Sequence, residues 1–107
     1  SAEEKIAHII DFINENYKAD LSREGMASAV DLSPDYLSRV FNKITGLKIP
    51  EYINRLRIRE AARRLVESDV TILCIAYDVG FNNLRTFNRA FLKLMESTPS
   101  EYRKNNF

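Results

Sequence analysis

Two arginines stand in matched surroundings, Arg39 in Leu37-x-Arg39-x-Phe41 and Arg89 in Phe87-x-Arg89-x-Phe91. A guanidinium presents two parallel donors that fit the O6 and N7 acceptors of a guanine edge, worth ~1–3 kcal/mol of discrimination. Lys43 and Lys93 lie four residues beyond each arginine. An ammonium is a point charge that suits phosphate, which positions a partner without specifying it. Asp35 and Ser38 accompany Arg39; Leu84, Arg85 and Thr86 precede Arg89; Tyr36 and Asn88 complete the two sets. Chemistry of other kinds lacks its parts. No carboxylate pair, nucleophile–base pair or glycine-rich phosphate loop is present, so no enzyme is expected. His8 has no second ligand at helical spacing and Cys74 no Cys or His neighbour, so neither metal nor cofactor is expected, and Cys74 reads as a partly buried thiol.

Helical periodicity runs through the whole chain, and nothing reads as a hairpin turn. Ile6, Ile9, Ile10 and Ile13 predict a first helix at about 3–16. Ser22 caps a second, which ends near Val30 and carries Gly25 at a cost of ~1 kcal/mol relative to Ala. Ser33-Pro34, a cap followed by proline at the first helical position, opens a third that ends near Gly46. Pro50 opens a long fourth helix at about 50–68, with an apolar face of Tyr52, Ile53, Leu56, Ala61 and Leu65 among Arg55, Arg57, Arg59, Arg63 and Arg64, which read as solvated charges with at most one or two near phosphate or in structural pairs. Thr71 caps a fifth helix that Gly80 ends, since glycine accepts a left-handed backbone. A sixth runs from about Asn83 to Met95. Thr98-Pro99-Ser100-Glu101 is a capping box that starts a short seventh, ending near Lys104.

The second half of this series repeats the first. At an offset of fifty residues Leu37 matches Phe87, Arg39 matches Arg89, Phe41 matches Phe91, Lys43 matches Lys93, and Glu51-Tyr52 matches Glu101-Tyr102. Ala27/Ala76 and Asp31/Gly80 match at forty-nine, so the second turn is longer by one residue. Each copy is a short apolar helix, a tight turn and a second helix with a polar start, the pattern of a helix-turn-helix. The stripes Leu37, Phe41, Ile44 and Phe87, Phe91, Leu94 are expected in the core. The opposite faces carry Asp35, Ser38, Arg39 and Asn42 in one copy and Arg85, Asn88, Arg89 and Leu92 in the other. The N-terminal half of such a helix reads base edges in the major groove, so two copies imply two grips on double-stranded DNA. Asp35, Ser38, Arg39, Leu84, Arg85, Thr86 and Arg89 are the candidate base-facing residues; Tyr36, Lys43, Asn88 and Lys93 are the candidates for phosphate. Leu84 suits a thymine methyl; Asp35 in the first turn reads first as an acid favoured by the helix dipole, with contact to a cytosine amino group as the alternative.

The 107 residues carry a formal charge of only +1. That small value hides an uneven distribution. Residues 1–35 hold eight acids against three bases, a net of −5, whereas residues 36–107 hold seven acids against thirteen bases, a net of +6. Such asymmetry can present a basic face to phosphate. With 45% hydrophobic residues the chain can build a core, and no apolar run reaches the ~18 residues of a membrane span. The single cysteine excludes an internal disulfide and suits a reducing compartment. Ser1-Ala2 without an initiator Met reads as the start of a piece excised from a longer protein.

These motifs resemble the DNA-binding domain of the AraC/XylS family of bacterial transcription regulators. The likeness rests on Ile72-x2-Ile75-Ala76-x3-Gly80-Phe81, Phe87-x-Arg89-x-Phe91 and Thr98-Pro99-Ser100-Glu101-Tyr102-Arg103, with Leu37-x-Arg39-x-Phe41 and Thr45-Gly46 in the first half. It spans about residues 3–104. It implies an all-α fold of seven helices in two helix-turn-helix lobes (about 3–48 and 71–104) joined by a connector helix at about 50–68. It further implies both recognition helices in adjacent major-groove segments, a regulator that activates transcription in the cytoplasm at the nucleoid, contact with RNA polymerase, a monomeric isolated domain and a dimeric full-length protein. The chain departs from the family's pattern at Asp31 (commonly Gly), Gly25 (commonly acidic, so the Ser22 capping box is incomplete), Leu73 and Cys74 (commonly polar), and at Leu84 and Asp35. The alternative reading is a helical protein-interaction module without DNA binding, motivated by the small net charge and by Leu73, Leu84 and Leu92.

Overall fold

A computed structural model of the chain describes residues 1–106 and contains seven α-helices and no strand among them: α1 (Ala2–Asn16), α2 (Arg23–Ala29), α3 (Pro34–Thr45), α4 (Ile49–Glu67), α5 (Ile72–Asp78), α6 (Leu84–Met95) and α7 (Pro99–Asn106). The helices fall into two compact units, Ser1–Ile53 and the segment from Asn54 onward, with the division inside α4. The expected helix boundaries hold to within a residue or two, the larger difference being at α7, which continues past Lys104 to Asn106.

Unit 1 buries Ile6, Ile9 and Ile13 of α1, Met26 and Ala27 of α2 with Val30 behind them, Leu37 and Phe41 of α3, and Ile49 and Ile53 of α4. Phe41 meets the Tyr52 ring edge-on at 5.5 Å, and the Tyr52 hydroxyl donates to Asn14 Oδ1 at 3.1 Å. One element of the expected core is missing. Ile44 is 47% exposed: it follows the Leu37–Phe41 stripe in direction, but α3 is near its end there and no element covers it.

Unit 2 is built on an aromatic ladder. Phe81 packs on Phe87 at 5.3 Å, Phe87 on Phe91 at 5.8 Å, and Phe91 on Tyr102 at 5.5 Å. Ile58, Ala61, Ala62 and Leu65 of α4 and Ile75, Ala76 and Val79 of the α5 region close the core around it, with Leu94 and Met95 partly buried against it. Ile58 and Ala62 belong to this core although the arginine-rich sequence of α4 hides them. Arg103 of α7 ties the ends of two elements together: its Nε donates to the Leu65 carbonyl at 2.9 Å and its Nη2 to those of Ser68 and Val70 at 3.2 and 2.6 Å. A carbonyl in the last turn of α4 and two in the loop that follows thereby gain a charged donor.

Of the α4 arginines, three are engaged. Arg57 lies over the Phe81 ring at 5.6 Å, and Arg63 and Arg64 both pair with Glu60, at 2.7 and 2.9 Å. The Arg63 hydrogen bond, working against the desolvation of partial burial and with Arg64, holds the Glu60 carboxyl down at about 2. At most one or two structural pairs are expected among these arginines from sequence, and three side chains are engaged, although the Arg63 side chain remains 56% exposed.

Among the described residues each unit contains two left-handed positions, and the repeat distributes its glycines unevenly between them. In the helix-turn-helix turn, Asp31 of unit 1 has φ 55° and Gly80 of unit 2 has φ 116°. The hydrogen bond that closes the turn is the same in both, Leu32 N–H to the Ala27 carbonyl and Phe81 N–H to the Ala76 carbonyl, each 3.0 Å. At the end of the following helix the assignment reverses: Gly46 closes α3 with φ 79°, whereas Glu96 closes α6 with φ 59°. A left-handed non-glycine residue costs roughly 1–2 kcal/mol of local strain, offset in part by the extra chain entropy glycine must lose on folding. Glu96→Gly is therefore expected to raise stability by about 0.5–1 kcal/mol and the melting temperature by a few degrees. Thermal unfolding followed by circular dichroism checks this, and an unchanged or lower midpoint would contradict it.

Candidate nucleic-acid interface

In unit 1 the turn places α3 with its polar start outward. The Ser33 hydroxyl accepts the Tyr36 N–H at 3.2 Å and Pro34 occupies the first turn, so the helix begins where the sequence says it should. Leu37 and Phe41 point inward and are fully buried. Asp35, Tyr36, Arg39 and Lys43 are exposed, and Ser38 is half-buried. Arg39 is not extended freely into solvent, for its guanidinium lies over the Tyr36 ring at 5.5 Å, an arrangement that rigidifies both side chains.

A residue that the sequence reading passed over belongs to this face. Arg23, the first residue of α2, directs Nη1 to Asp35 Oδ1 at 3.4 Å and to Ser38 Oγ at 3.3 Å. Its Nη2 approaches Glu24 Oε2 at 3.5 Å. The only sequence signal for it is that a helix-turn-helix returns the second helix across the first, so a long cation on one can meet an acid on the other.

In unit 2, Asn83 takes the capping role of Ser33: its Oδ1 accepts the Thr86 N–H at 2.8 Å. Phe87 and Phe91 are fully buried beneath α6. Arg85, Thr86, Asn88, Arg89 and Lys93 are exposed, with Leu92 beside them at 52% exposure. Leu84 is the exception among the expected base-facing residues, since it is half-buried and packs on the unit 2 core. Its position is explained by the ladder beneath it, which offers apolar contact that a groove-facing leucine would forgo. Among the described residues no acid lies within ion-pair distance of Arg85, Arg89 or Lys93.

Cys74 is exposed, not partly buried as expected, because the seven-residue α5 needs only Ile75 and Ala76 to reach the core. Leu73 and Tyr77 share that outer surface. Among the described residues there is no group of three or more His, Cys, Asp or Glu arranged to hold a metal ion. No helix among them is long and apolar enough to cross a membrane.

Two short helix pairs, each with a capped second helix whose outer side is polar and basic and whose inner side is aromatic, define a protein of the double helix-turn-helix class. Residues 26–105 match the family described as helix-turn-helix domain. The chain belongs to that family, in its AraC-type form. It is 38% identical over 96 residues to the uncharacterized HTH-type transcriptional regulator YijO of Escherichia coli, covering 90% of this chain and 34% of that protein. It is 33% identical over 100 residues to the lactose operon transcription activator of Staphylococcus xylosus, covering 94% of this chain and 36% of that one. Among solved structures, the C-terminal domain of AraT, a response regulator from Geobacillus stearothermophilus, superposes with a TM-score of 0.88 at 28% identity, covering 94% of this chain and 84% of that one. The chain thus spans about a third of the length of these curated relatives.

Proposed function

We propose that the chain is the sequence-reading part of a transcription regulator, that α3 and α6 enter adjacent major-groove segments of one duplex, and that the regulator it serves activates transcription in the cytoplasm. The observation that carries this reading is the outer face of α6. There Arg85, Arg89 and Lys93 stand exposed with no acidic partner among the described residues, on a helix held rigid from beneath by Phe87 and Phe91. Cations left unpaired on a rigid helix are available to base edges and phosphates. Membership of the AraC-type family supports the same assignment. In this reading Arg85, Thr86 and Arg89 face bases from α6, Asp35, Ser38 and Arg39 face them from α3, and Tyr36, Lys43, Asn88 and Lys93 hold phosphates. Leu84 contributes to readout only with the part of its side chain that the core leaves free. The exposed Leu73 and Tyr77 of α5 supply apolar surface for RNA polymerase, and the isolated domain acts as a monomer.

Selection of bound duplexes from a randomised library tests the proposal. The expected result is an enriched motif with two conserved blocks whose centres lie about one helical turn, ~10 base pairs, apart. Affinity for the selected duplex is expected to fall steeply with salt, by about 10³-fold or more between 50 and 200 mM if six or more phosphates are neutralised. No enriched motif together with salt-independent binding would refute it and leave the protein-interaction reading.

A further inference from the structure

We infer that Arg23 is a specificity-determining residue of the first reading helix: it holds Asp35 in place and neutralises it, so that the carboxylate accepts a hydrogen bond from the amino group of a cytosine. This rests on the DNA-binding reading of α3. An aspartate whose side chain is 91% exposed at the start of α3 is an anion on the surface that must approach phosphates. Bare, it repels the duplex. The Arg23 guanidinium stands 3.4 Å from its Oδ1, and the same Nη1 lies 3.3 Å from the Ser38 hydroxyl. Asp35 and Ser38 are three residues apart on one side of α3, so a single nitrogen supplied by α2 spans the first turn of the helix. One carboxylate oxygen is engaged in this way; the other, Oδ2, takes no hydrogen bond from any described residue. A fixed carboxylate oxygen with a free lone pair is the acceptor that complements cytosine N4 in the major groove, and thymine at that position offers it no donor. Arg23 itself does not touch the base in this arrangement. It acts through Asp35.

The inference separates from the alternatives by a double-mutant cycle on the 107-residue chain, with its library-selected duplex as probe. Arg23→Ala is expected to weaken binding by roughly tenfold in the parent and by no more than about twofold in an Asp35→Ala background, which removes the acceptor altogether, the difference being the coupling between the two side chains. Replacing the cytosine read by α3 with thymine should weaken the parent by about tenfold and leave Asp35→Ala, which has no acceptor there, nearly unaffected. Arg23→Lys, which keeps the charge, should recover part of the affinity. An equal loss on Arg23→Ala in both backgrounds, with a salt dependence reduced by one counterion, would make Arg23 a phosphate contact and overturn the inference. A loss of affinity that follows a lowered melting temperature would make it a structural residue, with the same consequence. If the parent enriches no duplex, the DNA-binding reading falls and takes this one with it; if it enriches one and the coupling is absent, this inference alone falls.

Discussion

Phe91→Ala is expected to remove roughly 3–5 kcal/mol of stability, the range for truncating a fully buried aromatic side chain. The position justifies the upper part of that range. Phe91 is completely buried and sits between Phe87 at 5.8 Å and Tyr102 at 5.5 Å, so its loss opens a cavity on two aromatic faces at once. The lost transfer free energy adds to the contacts that the remaining rings forfeit. Against a total stability of about 5–15 kcal/mol for a small domain this is a large fraction, and the urea midpoint should fall well below that of the parent. Urea titration monitored by circular dichroism measures the effect. Phe91→Leu, which keeps most of the volume, should cost less than half as much. A loss below about 1 kcal/mol for Phe91→Ala would mean that the ladder repacks freely and does not hold α6 rigid.

The ladder was legible in sequence because the repeat exposed it. Phe87 and Phe91 fall on one helical stripe, Tyr102 follows the Thr98–Glu101 box, and both aromatic helix starts, Tyr52 and Tyr102, stand at matched offsets. The caps were legible for a similar reason: Ser22, Ser33, Thr71 and Thr98 are side chains whose oxygen can reach an N–H two or three residues on, and all four do so. Asp31 at a left-handed position was visible from its alignment with Gly80. The features that escaped are those set by what lies across from a residue. Ile44 and Leu94 occupy equivalent places in the two stripes, yet Leu94 is covered by its unit and Ile44 is exposed. Periodicity gives the direction of a side chain, not how far its neighbour extends. Glu96 was invisible as a left-handed cap, since nothing in a glutamate announces φ 59°. Arg23 escaped because its partners are twelve and fifteen residues away across a turn, a distance at which no local spacing rule operates.

The second large effect concerns the reading face itself. Arg89→Ala is expected to weaken binding to the selected duplex by about 10- to 100-fold, equivalent to the ~1–3 kcal/mol of one bidentate arginine–guanine contact, and to leave binding to random duplex nearly unchanged. Lys93→Ala, one turn further along α6, should weaken selected and random duplex alike and reduce the salt slope by about one. The contrast follows from position on one rigid helix. The N-terminal half of a recognition helix faces base edges, while later turns meet the backbone. The two units are not expected to contribute equally. Arg85 and Arg89 have no ion-pair partner among the described residues, so their donors need no exchange before binding. Arg39 lies over Tyr36, and the acid beside it is already engaged by Arg23. Bringing Arg39 to a guanine edge breaks the stacking contact first, at a cost of about 0.5–1 kcal/mol for an exposed cation–π pair. Arg39→Ala should therefore cost several-fold less affinity than Arg89→Ala. A competition titration of both variants against the same selected duplex decides the order, and a larger loss at Arg39 would assign the dominant readout to α3.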